Sequence, residues 1–138
     1  MSASRLTRQD YHCLASLRHV LRKFLRFSKD VVSVNAHLTP EQYEALLALK
    51  AFSSDEGLTV GQLGERVQVR HHTAVSLTDK LAMRKLVTKR RGGRDRRYVY
   101  VKLTPLGTKI VKSLAASHRR EIRAYAGEMI KRLTQLKK

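Results

Sequence analysis

The first long segment of the chain carries apolar residues at steps of three and four positions. From Thr7 to about Val34 these residues are Tyr11, Leu14, Leu17, Leu21, Phe24, Leu25, Val31 and Val32. The spacing predicts one amphipathic helix, about 40 Å long at 1.5 Å per residue, with Asn35 ending it. Such a helix is longer than the core of a 138-residue chain needs, so we expect a partner to cover part of it.

Three further helices are marked by their first residues. Thr39-Pro40-Glu41-Gln42 and Thr59-Val60-Gly61-Gln62 have the spacing of capping boxes, and Thr104-Pro105 pairs a cap with a proline. The helices predicted from these starts cover about 40–52, 60–66 and 105–138. We expect a bend in the last of them, at residues 117–119 or at Gly127.

Another helix is predicted from His71 to Lys85. Its predicted inward residues are Ala74, Leu77 and Leu81, with Met83 as a further candidate. Arg70 stands at its cap position, where no side chain suited to capping is found. A tight turn joins this helix to the shorter and less basic one before it, an arrangement that predicts a helix-turn-helix.

Strand periodicity follows this pair of helices. Val99, Val101 and Leu103 alternate with Tyr98, Tyr100 and Lys102, residues 86–91 form a second candidate strand, and Gly92-Gly93 supplies the turn. Leu58 is a candidate for a very short strand. A hairpin in this position is a wing. We therefore predict a mainly α fold with a small β-hairpin wing: one domain, 1–138, with a winged helix-turn-helix core at 39–104 between helical segments at 7–35 and 105–138.

The charge balance indicates a polyanionic partner. The chain has 29 Lys and Arg residues against 11 acids, a net charge of +18, and residues 66–102 alone carry +10. The densest charge lies on the predicted hairpin instead of an amphipathic helix, which favours nucleic acid over a membrane surface. We expect a cytoplasmic protein with no membrane partner, for three reasons. The chain has no long apolar run, its N-terminus is unlike a signal peptide, and it has a single cysteine.

Two surfaces are candidates for contact with double-stranded DNA. The predicted second helix of the pair would enter the major groove, and the wing would reach the minor groove or straddle phosphates. One wing arginine is expected to pair with Asp95 while another enters the groove. Lys80, Arg84, Lys85 and Lys89 either bind phosphates or face solvent. The candidate DNA-binding residues are Arg70, His71, His72, Thr73, Val75, Ser76, Lys80, Arg91, Arg94, Arg96 and Arg97.

Several segments resemble the MarR family of bacterial transcriptional regulators. They are Leu38-Thr39-Pro40-Glu41-Gln42-Tyr43, Thr78-Asp79-Lys80-Leu81 followed by Leu86-Val87, Asp95-Arg96-Arg97, and Leu103-Thr104-Pro105-Leu106-Gly107. The resemblance covers roughly residues 10–136. It implies a homodimer in which the segments 7–35 and 105–138 are dimerisation helices, and which binds a palindromic operator. It also implies repression that small phenolic or other anionic ligands, or oxidative stress, relieve. His71-His72 and Ser76 depart from the common pattern, which leaves the operator sequence open.

The sequence also suggests more specific sites, and for the effector pocket and the cysteine an ordinary structural role explains the same residues. An effector pocket lined by Phe24, Phe27, Tyr43, Leu47 and Leu114 follows from the resemblance, but the same residues serve equally well as core. Cys13 is a candidate oxidation sensor or a plain core residue. The six histidines lack metal-ligand spacing, and no catalytic constellation is present, so we predict no metal, cofactor or enzymatic activity. The alternative function is a sequence-tolerant architectural protein that uses the same basic surface.

Overall fold

The computed structural model describes residues 5–93 and 95–138. Within them the chain forms five helices and three strands: α1 (Arg8–Ala36), α2 (Pro40–Phe52), β1 (Leu58–Thr59), α3 (Val60–Val67), α4 (His71–Met83), β2 (Val87–Arg91), β3 (Val99–Leu103) and α5 (Pro105–Lys137). The mainly helical winged fold that the sequence predicts is confirmed. No helix of the described ranges has both the length and the apolar content needed to cross a membrane.

The chain divides into two compact units. The winged unit comprises residues 31–115, and the terminal unit comprises the residues up to 30 together with those from 116 onward. The side chains that are almost fully buried in the winged unit include Leu46, Leu49, Leu63, Leu81, Leu86 and Val101. In the terminal unit, Cys13 and the hydrogen-bonded pair Ser28 and His118 are buried. Each unit therefore has buried side chains of its own.

The first helix ends later than its sequence pattern predicts. Asn35 lies inside α1, and the first residue after the helix, His37, adopts a left-handed backbone with φ of 53°. This residue turns the chain so that Leu38 is buried, while the Arg84 guanidinium donates to the carbonyl oxygens of Ala36 at 2.7 Å and His37 at 2.9 Å. Tertiary contacts therefore set this end, and the prediction at Asn35 is wrong.

Both predicted capping boxes are present. The Gln42 backbone N–H donates to Thr39 Oγ1 at 3.1 Å, and the Thr39 N–H donates to Gln42 Oε1 at 2.9 Å. Thr59 and Gln62 make the same two bonds at 3.0 and 2.9 Å. These bonds satisfy backbone donors that the first helical turn leaves without partners. The starts of α2 and α3 are therefore fixed by local chemistry.

The helix-turn-helix pair is held by a close approach of α3 to α4. A Cβ placed on Gly64 would lie 3.1 Å from the Cβ of Ala74, so the glycine allows the two helices to meet. Gln68, with φ of 61°, turns the chain between them, and the Val69 N–H donates to the Gly64 carbonyl at 3.0 Å. The helix pair predicted from sequence is confirmed.

The fourth helix is shorter than predicted. It ends at Met83, whose side chain is 82% exposed, so the interpretation of Met83 as an inward residue is wrong. Lys85 adopts φ of 60°, and the Leu86 N–H donates to the Leu81 carbonyl at 3.0 Å. Leu86, which follows this turn, is buried in the core, whereas Met83, the residue that the helical periodicity predicts to be inward, is exposed.

The wing belongs to a three-stranded antiparallel sheet in the order β1-β3-β2. Leu58 forms a short strand as predicted, but its pairing with Val101 of β3 was not foreseen. Val101 is fully buried, while Val99 and Leu103 pack against the core, which confirms the predicted alternation. Gly57 has φ of 101°, and a Cβ there would overlap the Val101 carbonyl oxygen. The β1–β3 contact therefore depends on this glycine.

The last helix runs without interruption from Pro105 to Lys137. Of the one or two helices that the sequence predicts here, the chain forms one, with no break at residues 117–119 or at Gly127. A single internal glycine costs a helix only about 1 kcal/mol, and side-chain bonds within one face offset that cost. The Tyr125 hydroxyl donates to Glu121 at 2.8 Å, and Arg132 pairs with Glu128 at 2.7 Å, on either side of Gly127.

Candidate nucleic-acid interface

The outer face of α4 carries most of the residues predicted to contact DNA bases. His71, His72, Thr73 and Ser76 are exposed there, as are Arg70 and Lys80. Val75 is only partly exposed and packs against the core, so its predicted outward position holds only in part. Thr78, which we did not identify as inward, is fully buried. Its hydroxyl donates to the Val75 carbonyl at 2.9 Å, so a polar residue can face the core without an unsatisfied group.

No side chain caps the start of α4. Arg70 occupies the cap position with an extended backbone, and its side chain makes no capping hydrogen bond. The first backbone N–H groups of a helix have no partners within the helix. Together with the positive end of the helix dipole, such free donors form a suitable site for a phosphate oxygen. This end of α4 can therefore bind an anion.

The tip of the wing is a braced loop. The Arg97 guanidinium donates to both carboxylate oxygens of Asp95, with N···O distances of 2.6 to 3.1 Å, and the Arg97 N–H also donates to Asp95 at 3.0 Å. The Arg91 guanidinium donates to the Arg96 carbonyl at 2.7 Å, and the Gly92 N–H donates to the Tyr98 carbonyl at 2.8 Å. These contacts join Arg91 and Gly92 at the end of β2 to Arg96 and Tyr98, and Arg97 to Asp95.

The two described arginines that follow Asp95 differ in what their side chains contact. Arg97 is the arginine that pairs with Asp95, while the Arg96 side chain is exposed and makes no hydrogen bond or ion pair with any other described residue. Arg94, also predicted to bind DNA, lies outside the described residues. Of the described pair Arg96 and Arg97, only Arg96 presents an uncommitted guanidinium.

The brace is electrostatically stable near neutral pH. Hydrogen bonds from the Arg97 side chain and backbone lower the pKa of Asp95 below its ordinary value. The same side-chain bond raises the pKa of Arg97. Both residues are therefore charged throughout the physiological range, and the bidentate geometry is that of a strong arginine–carboxylate pair.

Several other cations near the interface are held by contacts within the winged unit. Lys89 of β2 forms an ion pair with Asp79 of α4, which links the helix to the wing. Arg84 binds the carbonyls at the end of α1, as described above, so neither Arg84 nor Lys89 has a free head group. Arg90 lies 3.8 Å from Glu56, and the Arg66 guanidinium stacks 3.7 Å above the Phe52 ring.

The remaining basic side chains of this surface point into solvent. Arg70, Lys80, Lys85, Arg96 and Lys102 are exposed and make no hydrogen bond or ion pair within residues 5–93 and 95–138. Arg70 and Lys80 lie on α4 or at its start, and Arg96 lies on the wing. The sequence carries no sign that Arg84 and Lys89 are engaged, because their partners His37 and Asp79 lie 47 and 10 positions away along the chain.

The residues predicted to line an effector pocket are divided between the two units. Tyr43 and Leu114 are buried in the winged unit, where burial raises the pKa of the Tyr43 hydroxyl. Leu47 of the same unit is 39% exposed. In the terminal unit, Phe24 and Phe27 each place the ring edge-on to His118, with centroids 5.8 Å apart. The pocket stays a prediction.

The predicted redox residue, Cys13, is fully buried in the terminal unit. Its thiol donates to Gln135 Oε1 at 3.1 Å. No group of three or more His, Cys, Asp or Glu residues able to hold a metal is found among the described residues. Oxidant sensing by Cys13 also stays a prediction.

Comparison with known proteins identifies relatives of this fold. Residues 38–97 match the model of the MarR family. The HTH-type transcriptional regulator SarZ of Staphylococcus aureus is 31% identical over 100 residues, which are 72% of this chain and 62% of SarZ. The match therefore spans less than two thirds of the length of that relative.

Solved structures share the fold at low sequence identity. AbsC, a MarR family transcriptional regulator from Streptomyces coelicolor, is 19% identical with a TM-score of 0.77, over 97% of this chain and 90% of AbsC. A mutant of S. aureus MepR bound to an oligodeoxyribonucleotide is 21% identical with a TM-score of 0.68, over 96% of each chain. These structural likenesses show the shared fold, and the match to the family model, together with the SarZ relative, shows that residues 38–97 of this chain belong to the MarR family.

Proposed function

We propose that this chain is a DNA-binding transcriptional regulator. The observation that carries the proposal is the distribution of cations on the winged unit. Arg84, Lys89 and Arg97 are engaged internally, whereas Lys80 and Arg96 extend from α4 and the wing into solvent. A duplex offers phosphates and grooves to this surface, and the MepR relative was solved with an oligodeoxyribonucleotide.

In the proposed complex α4 lies in the major groove. Thr73 and Ser76 supply hydroxyls that donate to or accept from base edges, and His71 and His72 supply ring nitrogens close to the same end. The uncapped first turn of α4 receives a phosphate oxygen, and Lys80 lies further along the helix for a second backbone contact. Base contacts would give the sequence preference and phosphate contacts the register.

The wing reaches the adjacent minor groove. Arg96 is the residue that enters it, because the negative potential of a narrow minor groove attracts a guanidinium. Arg91 and Arg97 keep the loop in shape and contribute positive charge. Arg94, which precedes Asp95 in the same loop, is a further candidate for contact with the duplex.

A homodimer would present two such surfaces to a palindromic operator. Ile122, Ile130 and Leu133 of α5 are exposed apolar side chains, as are Leu6 and Tyr11 near the start of α1. Covering them with a second copy removes apolar surface from water. Two-fold symmetry then requires half-sites about one helical turn, or roughly 34–36 Å, apart.

We further propose that the regulator is a cytoplasmic repressor released by a signal. One form of that signal is a small phenolic or anionic ligand bound at Phe24, Phe27, Tyr43, Leu47 and Leu114. Oxidation of Cys13 in a stress response is another, although the buried thiol must first become accessible. Both rest on family resemblance alone.

Footprinting of the purified chain on its genomic DNA tests the proposal. A regulator should protect discrete sites with inverted half-sites, and should bind them roughly 10³-fold or more tightly than random duplex at physiological salt. Equal affinity for all duplexes would instead indicate the sequence-tolerant architectural protein. A monomer without affinity for any duplex would refute both functions.

A further inference from the structure

The turn that follows α4 contacts the ends of two other helices. It comprises Arg84, Lys85 and Leu86, and we call it the α4 joint. Lys85 adopts a left-handed backbone with φ of 60°, so the chain leaves α4 here and continues into β2. The last carbonyl groups of a helix lack partners within it, so a turn in this position offers acceptors to other segments. The joint offers such acceptors and also supplies a donor of its own.

Arg84 ties the joint to the end of α1. Its guanidinium donates through one nitrogen to the Ala36 carbonyl at 2.7 Å and through another to the His37 carbonyl at 2.9 Å. These carbonyls lie at the C-terminal end of α1, where the helix dipole favours a positive charge. Because the guanidinium is planar and rigid, two bonds from it fix the direction of α1 at the joint as well as its distance.

Thr104, the residue before α5, ties the joint to that helix. The Thr104 hydroxyl donates to the Lys85 carbonyl at 2.7 Å, and the Thr104 N–H donates to the Leu86 carbonyl at 3.1 Å. The same hydroxyl accepts a hydrogen bond from the Gly107 N–H at 3.0 Å and so caps α5. A Cβ on Gly107 would overlap the Leu86 carbonyl oxygen. The first turn of α5 therefore packs directly on the joint.

The two helices held at the joint are those that continue into the terminal unit. The apolar side chains proposed to meet a second copy lie near the start of α1 and along α5. The bonds of the joint lie within residues 31–115, and Arg84, which makes two of them, also caps the end of α4. The end of α1, the start of α5 and the end of α4 therefore meet at one short turn.

We propose that the α4 joint sets the half-site spacing that the dimer accepts on DNA. Arg84 and Thr104 are positioning residues, which hold α4 in a fixed direction on the ends of α1 and α5. Two copies then present their α4 helices at one separation. The inference rests on the proposed function, because it concerns how the regulator selects its operator. It gives a role in that selection to residues that bind protein backbone instead of the duplex.

A phosphate contact by Arg84 and a purely structural role predict different results. The guanidinium is engaged by two carbonyls, so binding a phosphate would break bonds within the winged unit. Loss of a phosphate contact lowers the affinity for every duplex by a similar factor and reduces the salt slope. Loss of folded protein also lowers all affinities by one factor, because it changes only the active fraction. Neither changes the ratio of the affinities for two operators of different spacing.

The test compares the strongest footprinted operator with the same duplex carrying one extra base pair between its half-sites. The insertion turns one half-site by about a tenth of a turn around the duplex axis. Anisotropy titrations of the full chain give the spacing ratio, defined as the affinity for the first duplex divided by that for the second. For the wild type we expect roughly tenfold or more, because the insertion misaligns base contacts. Arg84→Gln should lower this ratio about threefold or more, since two hydrogen bonds that direct α4 are lost.

Lys85→Gln is the matched control for charge. It removes the same charge at the next position, from an exposed side chain without a hydrogen bond or ion pair among the described residues. The Lys85 carbonyl that Thr104 binds stays in place. We expect lower affinity for both duplexes and the wild-type spacing ratio. Arg84→Lys keeps the charge but lacks the planar group, so its ratio should fall as in Arg84→Gln.

Thr104 provides a second pair of variants. Thr104→Val has nearly the same shape but no hydroxyl, so it loses the bond to the Lys85 carbonyl and should lower the spacing ratio. Thr104→Ser keeps the hydroxyl and should restore the wild-type ratio. Because the ratio does not depend on the fraction of folded protein, a loss of stability in Thr104→Val does not imitate the expected effect.

The possible failures are distinguishable. Wild-type spacing ratios in Arg84→Gln and Thr104→Val would overturn this inference and leave the proposed function standing. So would a wild type that binds both duplexes equally but still prefers them to random DNA. An equal fall of the ratio in Lys85→Gln would show that charge, and not the joint, sets the spacing. A wild type without affinity for any duplex would refute the proposed function, and this inference with it.

Discussion

At the residue scale, the wing shows how neighbouring arginines acquire different tasks. The sequence predicts that one arginine pairs with Asp95 but not which one, since Arg96 is one position away along the chain and Arg97 two. The turn decides between them, because the Arg97 backbone N–H and guanidinium both reach the same carboxylate. The Arg96 side chain makes no hydrogen bond with the other described residues, and the Arg96 carbonyl accepts one from the Arg91 guanidinium.

Substitutions at these two arginines should therefore behave differently. Arg96→Ala should weaken operator binding by about 1–3 kcal/mol with unchanged loop structure, because it removes a groove contact only. Arg97→Ala should weaken binding by loosening the loop, and its effect should not add to that of Asp95→Ala, since both remove one pair. Anisotropy titrations of the wild type, the three single variants and the Asp95/Arg97 double variant measure this. Wild-type binding by Arg96→Ala would contradict the minor-groove assignment.

The Asp95 carboxyl provides a pH test of the same brace. Its pKa is lowered in the folded protein, so the Asp95–Arg97 pair stabilises the fold fully at pH above the unfolded pKa of about 3.9. This stabilisation is lost as the pH falls through the lower pKa of the folded state. An NMR titration of the carboxyl carbon should show no transition between about pH 8 and pH 5. In Arg97→Ala the pKa should rise toward about 3.9, and an unchanged pKa would rule out the brace.

At the scale of the elements, local chemistry fixes starts more firmly than ends. The capping boxes of α2 and α3 lie within four residues of sequence and form as predicted. The ends of α1 and α4 are set instead by Arg84 and Leu86, which act through contacts with distant or tightly turned segments. The sequence pattern therefore predicts the ends of these two helices incorrectly by one or two residues.

The close contact between α3 and α4 can be tested at its glycine. Gly64→Val should lower the free energy of unfolding by about 1–3 kcal/mol, because the new side chain meets Ala74 where a Cβ alone lies at 3.1 Å. Gly61→Val in the same helix is the matched control, since a Cβ there has only Thr59 Oγ1 near it, at 3.9 Å. Urea denaturation measures the free energy of unfolding of both variants. Equal losses would show that the effect of Gly64→Val comes from helix propensity and not from packing against Ala74.

At the scale of the whole molecule, the charge of +18 is spread over both units instead of being confined to the wing. The sequence alone directs attention to residues 66–102, where the basic residues are densest. The tertiary structure shows which of those residues are occupied and which are available. Net charge predicts that a polyanion binds, but not where.

The salt dependence of operator binding should distinguish the exposed Lys80 from Lys89, which is paired with Asp79. Lys80→Ala should reduce the slope of log affinity against log salt by about one unit, because its free ammonium is placed to contact a phosphate. Lys89→Ala removes a lysine already paired with Asp79, so its slope should change less. Titrations between about 50 and 200 mM salt measure both slopes. A larger change for Lys89 would contradict the assignment.

The sequence by itself determined the order of the elements and the class of fold. Helix caps, the alternation of β3 and the helical spacing act over a few residues, so they can be identified without knowing what packs nearby. The Asp95-Arg96-Arg97 segment and the block at 78–81 likewise identified the family, because they are short and contiguous.

Only the tertiary structure decided which side chains are available for binding. Arg84 and Lys89 have the same character in sequence as Lys80, yet the first two are engaged by residues 47 and 10 positions away. The pairing of β1 with β3, the burial of Leu86 in place of Met83 and the unbroken α5 also depend on such contacts. Long-range contacts leave no periodic signal in the sequence, and for this reason the folded chain was needed to assign them.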